Sequence, residues 1–159
     1  SNDAINDAFI LASKAMDISV LLNQDFEEVL EWVIGLNTFT TETSNSSYDD
    51  VYLNYDVTFT FDESEVAFLT LNNEREDLEN SPELNDLKEP VSTALSISLE
   101  GYDSINTNII SPSSIDLNYL SKINGVVKLM KALKLSENDF IHLFEIFNDG
   151  ESIELFDID

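Results

Sequence analysis

Apolar residues at helical spacing stand near the start of the chain. Ile5, Phe9, Ala12 and Met16 recur at intervals of three and four residues, which predicts an amphipathic helix with one apolar stripe. A second helix is predicted over residues 25–34. Asn23 or Asp25 can cap its start, and a glycine follows its end.

The last third of the chain returns to the helical pattern. One helix is predicted from Ser114 to about Leu133. Ser136, with Asp139 three residues later, predicts the capped start of a further helix that continues through Phe147.

The middle of the chain alternates between apolar and polar residues. In residues 51–61, VYLNYDVTFTF, every second residue is apolar, which is typical of a strand with one buried face. Residues 66–71 (VAFLTL), 91–99 (VSTALSISL) and 104–110 (SINTNII) predict further strands, and residues 151–158 (ESIELFDI) predict an edge strand.

These segments predict a single acidic α+β domain over residues 1–159, with an antiparallel sheet of about four or five strands and helices at both ends of the chain. Residues 37–50 and 72–90 are predicted to be mobile or acidic loop segments, with at most a short helix that Pro90 ends. Because the chain does not begin with Met, an alternative is that residues 1–15 are a tag or upstream sequence.

The charge balance is the most unusual property of the composition. The chain has 32 Asp and Glu residues and 7 Lys and Arg residues, which gives a formal net charge of −25. Such a protein repels nucleic acid and anionic membranes, so we expect neither to be a direct partner. Four lysines lie within residues 117–136, a stretch without acids, and they are Lys122, Lys128, Lys131 and Lys134.

The acids are densest in residues 72–90, a segment that contributes little to a hydrophobic core. Carboxylates at strand or helix spacing stand roughly 6 Å apart, which is comparable to the spacing of phosphates along a nucleic-acid strand. We therefore predict that this segment, with two clusters before it, binds a basic partner. The predicted partner-binding residues are Asp49, Asp50, Asp62, Glu63, Glu65, Glu74, Glu76, Asp77, Glu79, Glu83, Asp86 and Glu89.

The function predicted from this pattern is that of a non-enzymatic inhibitor or binding module. It would occupy the basic surface of a nucleic-acid-binding protein by mimicking nucleic acid. In size and charge the chain is similar to small acidic proteins that block restriction, CRISPR or repair enzymes. The alternative is a toxin-immunity protein or an acidic secretion chaperone, in which an apolar contact with one protein carries the affinity. Acidity that serves solubility alone, or adaptation to high salt, would also explain the charge.

No catalytic signature stands out, so we predict neither an enzyme nor a cofactor. The glycines are too scattered for a phosphate-binding loop. His142, the one histidine, shares a predicted helix face with Asp139 and Glu145, but this spacing is expected by chance in an acidic helix, and we predict no metal site there. An EF-hand loop around Gly150 fails, because two ligand positions would be phenylalanines.

Residues 126–144 resemble the first two helices of a repressor-type helix-turn-helix, in the LKLS junction and the apolar spacing. The DNA-reading helix that should follow is missing, so we predict no DNA binding. The chain contains no cysteine and no apolar run of the ~18 residues that a membrane span needs, and its pattern leads us to expect no signal peptide. These features predict a cytoplasmic protein.

Overall fold

The computed structural model describes residues 2–61, 66, 69 and 83–148, and every regular element among them is helical. The elements in chain order are α1 (Asn2–Leu22), α2 (Phe26–Ile34), α3 (Ser47–Tyr52), α4 (Tyr55–Thr60), α5 (Leu84–Leu95), α6 (Leu99–Ile105), a π-helical segment (Asn106–Ile110), α7 (Leu117–Ala132) and α8 (Glu137–Asn148). No strand occurs within these residues. The predicted α+β fold with an antiparallel sheet is therefore wrong.

The clearest predicted strand, residues 51–61, is divided between α3 and α4. Each helix has six residues and begins at a side-chain cap. The Asp49 backbone N–H donates to Ser46 Oγ at 3.1 Å, and the Val57 N–H donates to Asn54 Oδ1 at 3.2 Å. The Asn54 amide also donates to two carbonyl oxygens of α3, so this one side chain ends one helix and begins the next.

The predicted strand at residues 91–99 is mostly the second half of α5. Leu87, Val91 and Leu95 are buried at successive helical turns, so the same apolar residues form a helix face. Pro90 was predicted to end a helix, but it lies inside α5 and is buried. The buried face outweighs the backbone hydrogen bond that a proline cannot donate.

The remaining predicted strands are helical or lie outside the described residues. Residues 104–110 form the end of α6 and the π-helical segment. Of residues 66–71, only Val66 and Leu69 are described, and both are buried with helical backbone. Residues 151–158 lie outside the described part of the chain. Of the two predicted loop segments, residues 47–50 and 84–90 are helical, while 72–82 are not described.

The four helices predicted at the two ends of the chain are present as α1, α2, α7 and α8. Asp25 caps α2, since its Oδ1 accepts the N–H groups of Glu27 at 2.9 Å and Glu28 at 3.3 Å. Gly35 follows α2 with a φ of 114°, a conformation that disfavours other residues. Ser136 caps α8 through the Asp139 N–H at 3.2 Å, as the sequence predicted.

The described residues divide into two compact units. Unit 1 contains residues 2–36 and 120–148, and unit 2 contains the described residues of 37–119. The prediction of a single domain over residues 1–159 stays a prediction.

The core of unit 1 forms where α1 packs against α2. Ala15, Val29, Trp32 and Val33 are buried in it. Partly buried residues surround them, namely Leu11, Ile18, Leu22, Phe26, Leu30 and Ala132. Gly125 of α7 lies directly against the backbone of Trp32, so the absence of a side chain there permits the close approach of α7 and the end of α2.

The core of unit 2 is built around α5, which contacts α3, α4 and α6. Its largest buried side chains are tyrosines, and Tyr48 packs against Tyr52 with ring centroids 5.1 Å apart. Tyr102 and Tyr119 are buried as well. Within the described residues of both units, no helix combines the length and the hydrophobicity needed to cross a membrane.

Candidate functional site

Five of the twelve predicted partner-binding carboxylates are in the described part of the chain. They are Asp49, Asp50, Glu83, Asp86 and Glu89, and all belong to unit 2. The other seven lie outside the described residues, namely Asp62, Glu63, Glu65, Glu74, Glu76, Asp77 and Glu79.

Asp49 and Asp50 occupy the first turn of α3. Asp49 is half-buried, and Thr40 Oγ1 donates to its Oδ2 at 2.6 Å. Asp50 is exposed. Negative side chains favour the positive end of a helix, so both carboxylates stabilise α3 in addition to any contact with a partner.

Glu83 and Asp86 stand at the start of α5. Glu83 is its N-cap residue, and the Glu83 backbone N–H donates to Asp86 Oδ2 at 2.9 Å. The Asp86 carboxylate therefore satisfies a backbone donor that the helix itself leaves unpaired. Glu89 lies beyond this first turn and is exposed.

Asp86 and Glu89 line a cleft of about 460 Å³ in unit 2. Its wall combines these two carboxylates with apolar groups from Phe61, Pro90 and Leu99. Asn85 and Lys88 complete the lining. A lysine or arginine side chain has the matching two-part chemistry, because its alkyl stem packs on apolar surface while its cationic end binds carboxylates.

Lys88 is ion-paired with the Asp103 carboxylate of α6. Lys88 is also the one basic residue among the described residues of unit 2. No described Asp or Glu of either unit is buried. Among the described residues, the surface of unit 2 around the cleft is therefore almost uniformly negative.

An exposed aromatic pair on α4 is a feature that sequence reasoning missed. Tyr55 and Phe59 are 72% and 74% exposed, and their rings stack with centroids 5.1 Å apart and an interplanar angle of 19°. The strand interpretation placed both rings on the buried face beside Val57. The signal available in the sequence was their separation of four residues, which brings side chains together on a helix.

The buried tyrosines of unit 2 hydrogen-bond to one another and to backbone carbonyl groups, one of which is at the start of α5. Tyr119 OH donates to Tyr102 OH at 2.9 Å, and Tyr102 OH donates to the Leu84 carbonyl at 2.8 Å. Tyr48 OH donates to the Leu69 carbonyl at 2.7 Å. Burial raises the pKa of Tyr102 and Tyr119. The hydroxyls of Tyr102 and Tyr119 therefore remain protonated at neutral pH and serve as hydrogen-bonding groups.

The residues considered for a metal site are not gathered together. Asp139 Oδ2 accepts a hydrogen bond from Ser136 Oγ at 2.6 Å, so this carboxylate belongs to the cap of α8. His142 Nδ1 lies 3.7 Å from Glu145 Oε2, and both side chains are exposed. In the described part of the chain, no three His, Asp or Glu side chains are placed to hold a metal ion.

The lysines of residues 117–136 lie in or directly after α7. Lys128 Nζ is 3.7 Å from Glu28 Oε1, and both side chains are largely exposed. Burial, followed by the nearby charge of Lys128, lowers the pKa of Lys131, while Glu137 opposes this change. The last lysines of the stretch favour the negative end of α7.

Comparisons of the chain with protein-family models, curated proteins and solved structures find no match.

Proposed function

We propose that this protein is a non-enzymatic acidic binding module that occupies the basic surface of a nucleic-acid-binding protein and excludes nucleic acid from it. The observation that carries the proposal is the surface of unit 2. Its one described basic residue, Lys88, is already paired with Asp103, while its described carboxylates stand at the surface. Because the proposed partner acts on nucleic acid inside the cell, the proposal includes a cytoplasmic location.

The chemistry of the cleft in unit 2 supports this proposal, because its lining suits a basic side chain. Nucleic-acid-binding surfaces carry arginine and lysine to neutralise phosphates. Asp86 and Glu89 contribute two acidic residues to the lining of the cleft, and Phe61 and Leu99 contribute apolar residues. An arginine of the partner would place its guanidinium on the carboxylates and its stem on the apolar wall.

Long-range electrostatic attraction would increase the rate of association with the partner more than it would increase the affinity. A partly exposed ion pair contributes only about 0.2–1 kcal/mol. Many such charges together nevertheless steer a cationic partner, and this steering is screened over about 8 Å at physiological ionic strength. Binding to the partner should therefore weaken steeply as salt rises, mainly through slower association.

The test begins with capture of partners from the native host at low salt, followed by elution with duplex DNA or RNA. For a captured protein, association rates are measured against salt for the wild type and for D86N/E89Q. We expect this variant to associate about two- to five-fold more slowly in low salt, as the loss of one or two exposed ion pairs predicts. Asn at position 86 keeps an oxygen that can accept the Glu83 N–H.

The matched control is D7N/D17N, which removes the same charge from exposed positions on α1 in unit 1. If attraction depends on the cleft of unit 2, the control variant should associate nearly as fast as the wild type. Three results together would reject the proposal: an association rate that does not change with salt concentration, equal effects of the two variants, and no competition by nucleic acid.

A second candidate is an immunity protein or secretion chaperone that binds its partner by an apolar contact. The observation that favours it is the exposed Tyr55–Phe59 pair, since exposed aromatic residues are typical anchors of protein interfaces. In that case Y55S/F59S should weaken binding by at least tenfold while D86N/E89Q has little effect. The opposite ranking of the two variants would exclude this second candidate.

A further inference from the structure

Helix α1 of unit 1 carries two separate apolar faces. One face packs on α2 through Leu11, Ala15, Ile18 and Leu22. The other face contains Ile5, Phe9, Met16 and Val20, which are 58%, 71%, 47% and 75% exposed. We call the latter set the α1 stripe. At 100° per residue, the charged residues of α1 lie on a third side, and they are Asp3, Asp7, Lys14 and Asp17.

The α1 stripe has an internal symmetry. With Ala12 and Ser13 between them, the residues of the stripe form two rows at a spacing of four residues, Ile5–Phe9–Ser13 and Ala12–Met16–Val20. Reversing the helix about the midpoint between Ala12 and Ser13 exchanges Ile5 with Val20 and Phe9 with Met16. Two copies of α1 that pair antiparallel about this midpoint therefore place Ile5 opposite Val20 and Phe9 opposite Met16, with the small Ala12 and Ser13 at the centre.

We propose that the α1 stripe is the interface of a homodimer in which the α1 helices of two copies pack antiparallel, with Ala12 and Ser13 at the crossing point. The same surface on both copies forms such a two-fold contact. The small side chains of Ala12 and Ser13 allow the two helices to approach closely at their midpoint. This proposal is independent of the proposed function, which rests on unit 2.

The area of the stripe indicates a weak dimer. A fully buried aromatic side chain covers about 150–250 Å², and the aliphatic side chains cover somewhat less, so the exposed fractions of the four residues leave roughly 400–500 Å² per copy. Two copies with the flanking small residues reach about 1,000 Å², which is near the lower limit of a specific interface. The expected dissociation constant is therefore in the micromolar range.

A second copy fits this face better than a cationic partner does. The carboxylates of α1 lie on its third side, so the stripe itself offers a cation nothing to bind, and like charges of two α1 helices do not face each other across it. The net charge of −25 on each copy still opposes association. Salt screens this repulsion. Salt should therefore strengthen the dimer, whereas it should weaken binding to a cationic partner.

Analytical ultracentrifugation of the full chain tests the proposal. We expect a monomer–dimer equilibrium that shifts toward dimer as protein or salt concentration rises. F9K should weaken the dimer by at least tenfold, because it places a charge in the contact. The matched control is L21K: Leu21 is 82% exposed on the side of the charged residues, so L21K should dimerise like the wild type. Circular dichroism melting verifies that both variants fold.

Cysteine cross-linking tests the antiparallel register, since the chain has no cysteine of its own. S13C should form a disulfide with itself, because the two copies of residue 13 meet near the crossing point. I5C should not, because the two copies of residue 5 would lie about 22 Å apart along the helices. A monomer at every concentration, an F9K variant that dimerises like L21K, or efficient self-linking of I5C would overturn the proposal.

Discussion

Replacing Gly125 by alanine tests how closely α7 approaches α2 in unit 1. A Cβ atom at this position would lie 2.5 Å from the carbonyl oxygen of Trp32 and 3.3 Å from its carbonyl carbon. Both contacts are with backbone, which cannot rotate away as a side chain can. The G125A variant therefore has to move the two helix backbones apart by most of an ångström.

Two opposing effects set the magnitude for G125A. Alanine favours a helix interior by about 0.8–1.0 kcal/mol over glycine. Overpacking costs typically about 1–3 kcal/mol and more where backbones must shift, and the separation also loosens contacts of the buried Val126 and Trp32. We expect a net destabilisation of about 1–2 kcal/mol, which corresponds to a decrease in Tm of roughly 2–8 °C for a chain of this size.

Thermal and urea unfolding measure this change, and Trp32 supplies a local signal because it is the only tryptophan. Its emission should shift to longer wavelength in folded G125A as water reaches the loosened contact. N118A is the matched control, since Asn118 is exposed on the same helix and alanine there meets no backbone. A G125A protein as stable as the wild type, with unchanged emission, would refute the close approach.

Two further predictions concern the buried tyrosines of unit 2. Y102F removes both hydrogen bonds in the series from Tyr119 to the Leu84 carbonyl and should lower the free energy of unfolding by about 2–3 kcal/mol. Y119F removes only the first of these bonds and should lower the free energy of unfolding by about 1 kcal/mol. Urea unfolding measures both values, and equal losses for the two variants would contradict this series. Burial raises the pKa of Tyr52, Tyr102 and Tyr119 above the usual value near 10. Their contribution to the free energy of unfolding is therefore fully present below about pH 10 and is lost as pH rises above this value. The free energy of unfolding should then fall by about 1.4 kcal/mol per pH unit for each such tyrosine, and Y52F should reduce this slope.

The sequence predicted the helices at both ends of the chain because each has either several turns of apolar spacing or a distinct cap. The strands predicted in the middle of the chain were wrong for a physical reason. A helix of six residues is too short to display its period, and aromatic and β-branched residues such as Val57 and Phe59 are typical of strands. The signals that could have corrected the prediction are Ser46 and Asn54, each a capping residue three positions before a backbone N–H that it binds.

The candidate site was predictable in its chemistry but not in its shape. Net charge and acid density follow from composition alone, and the structure shows its described carboxylates at the surface. The cleft depends on Phe61, Pro90 and Leu99, which come together only after α4, α5 and α6 have packed. The strand interpretation could not bring these residues together, because it placed Phe61 and Leu99 in separate strands and Pro90 at the end of a loop segment.

The two carboxylates of the cleft differ in what a mutation can show about function. Asp86 accepts the Glu83 N–H at the positive end of α5, so its charge contributes to folding whether or not a partner exists. Glu89 lies past the first turn, where the helix leaves no unpaired backbone N–H, and yet it lines the same cleft. Neutralising Glu89 alone should therefore leave stability nearly unchanged, and an effect of E89Q on partner association would report on the partner surface rather than on the helix.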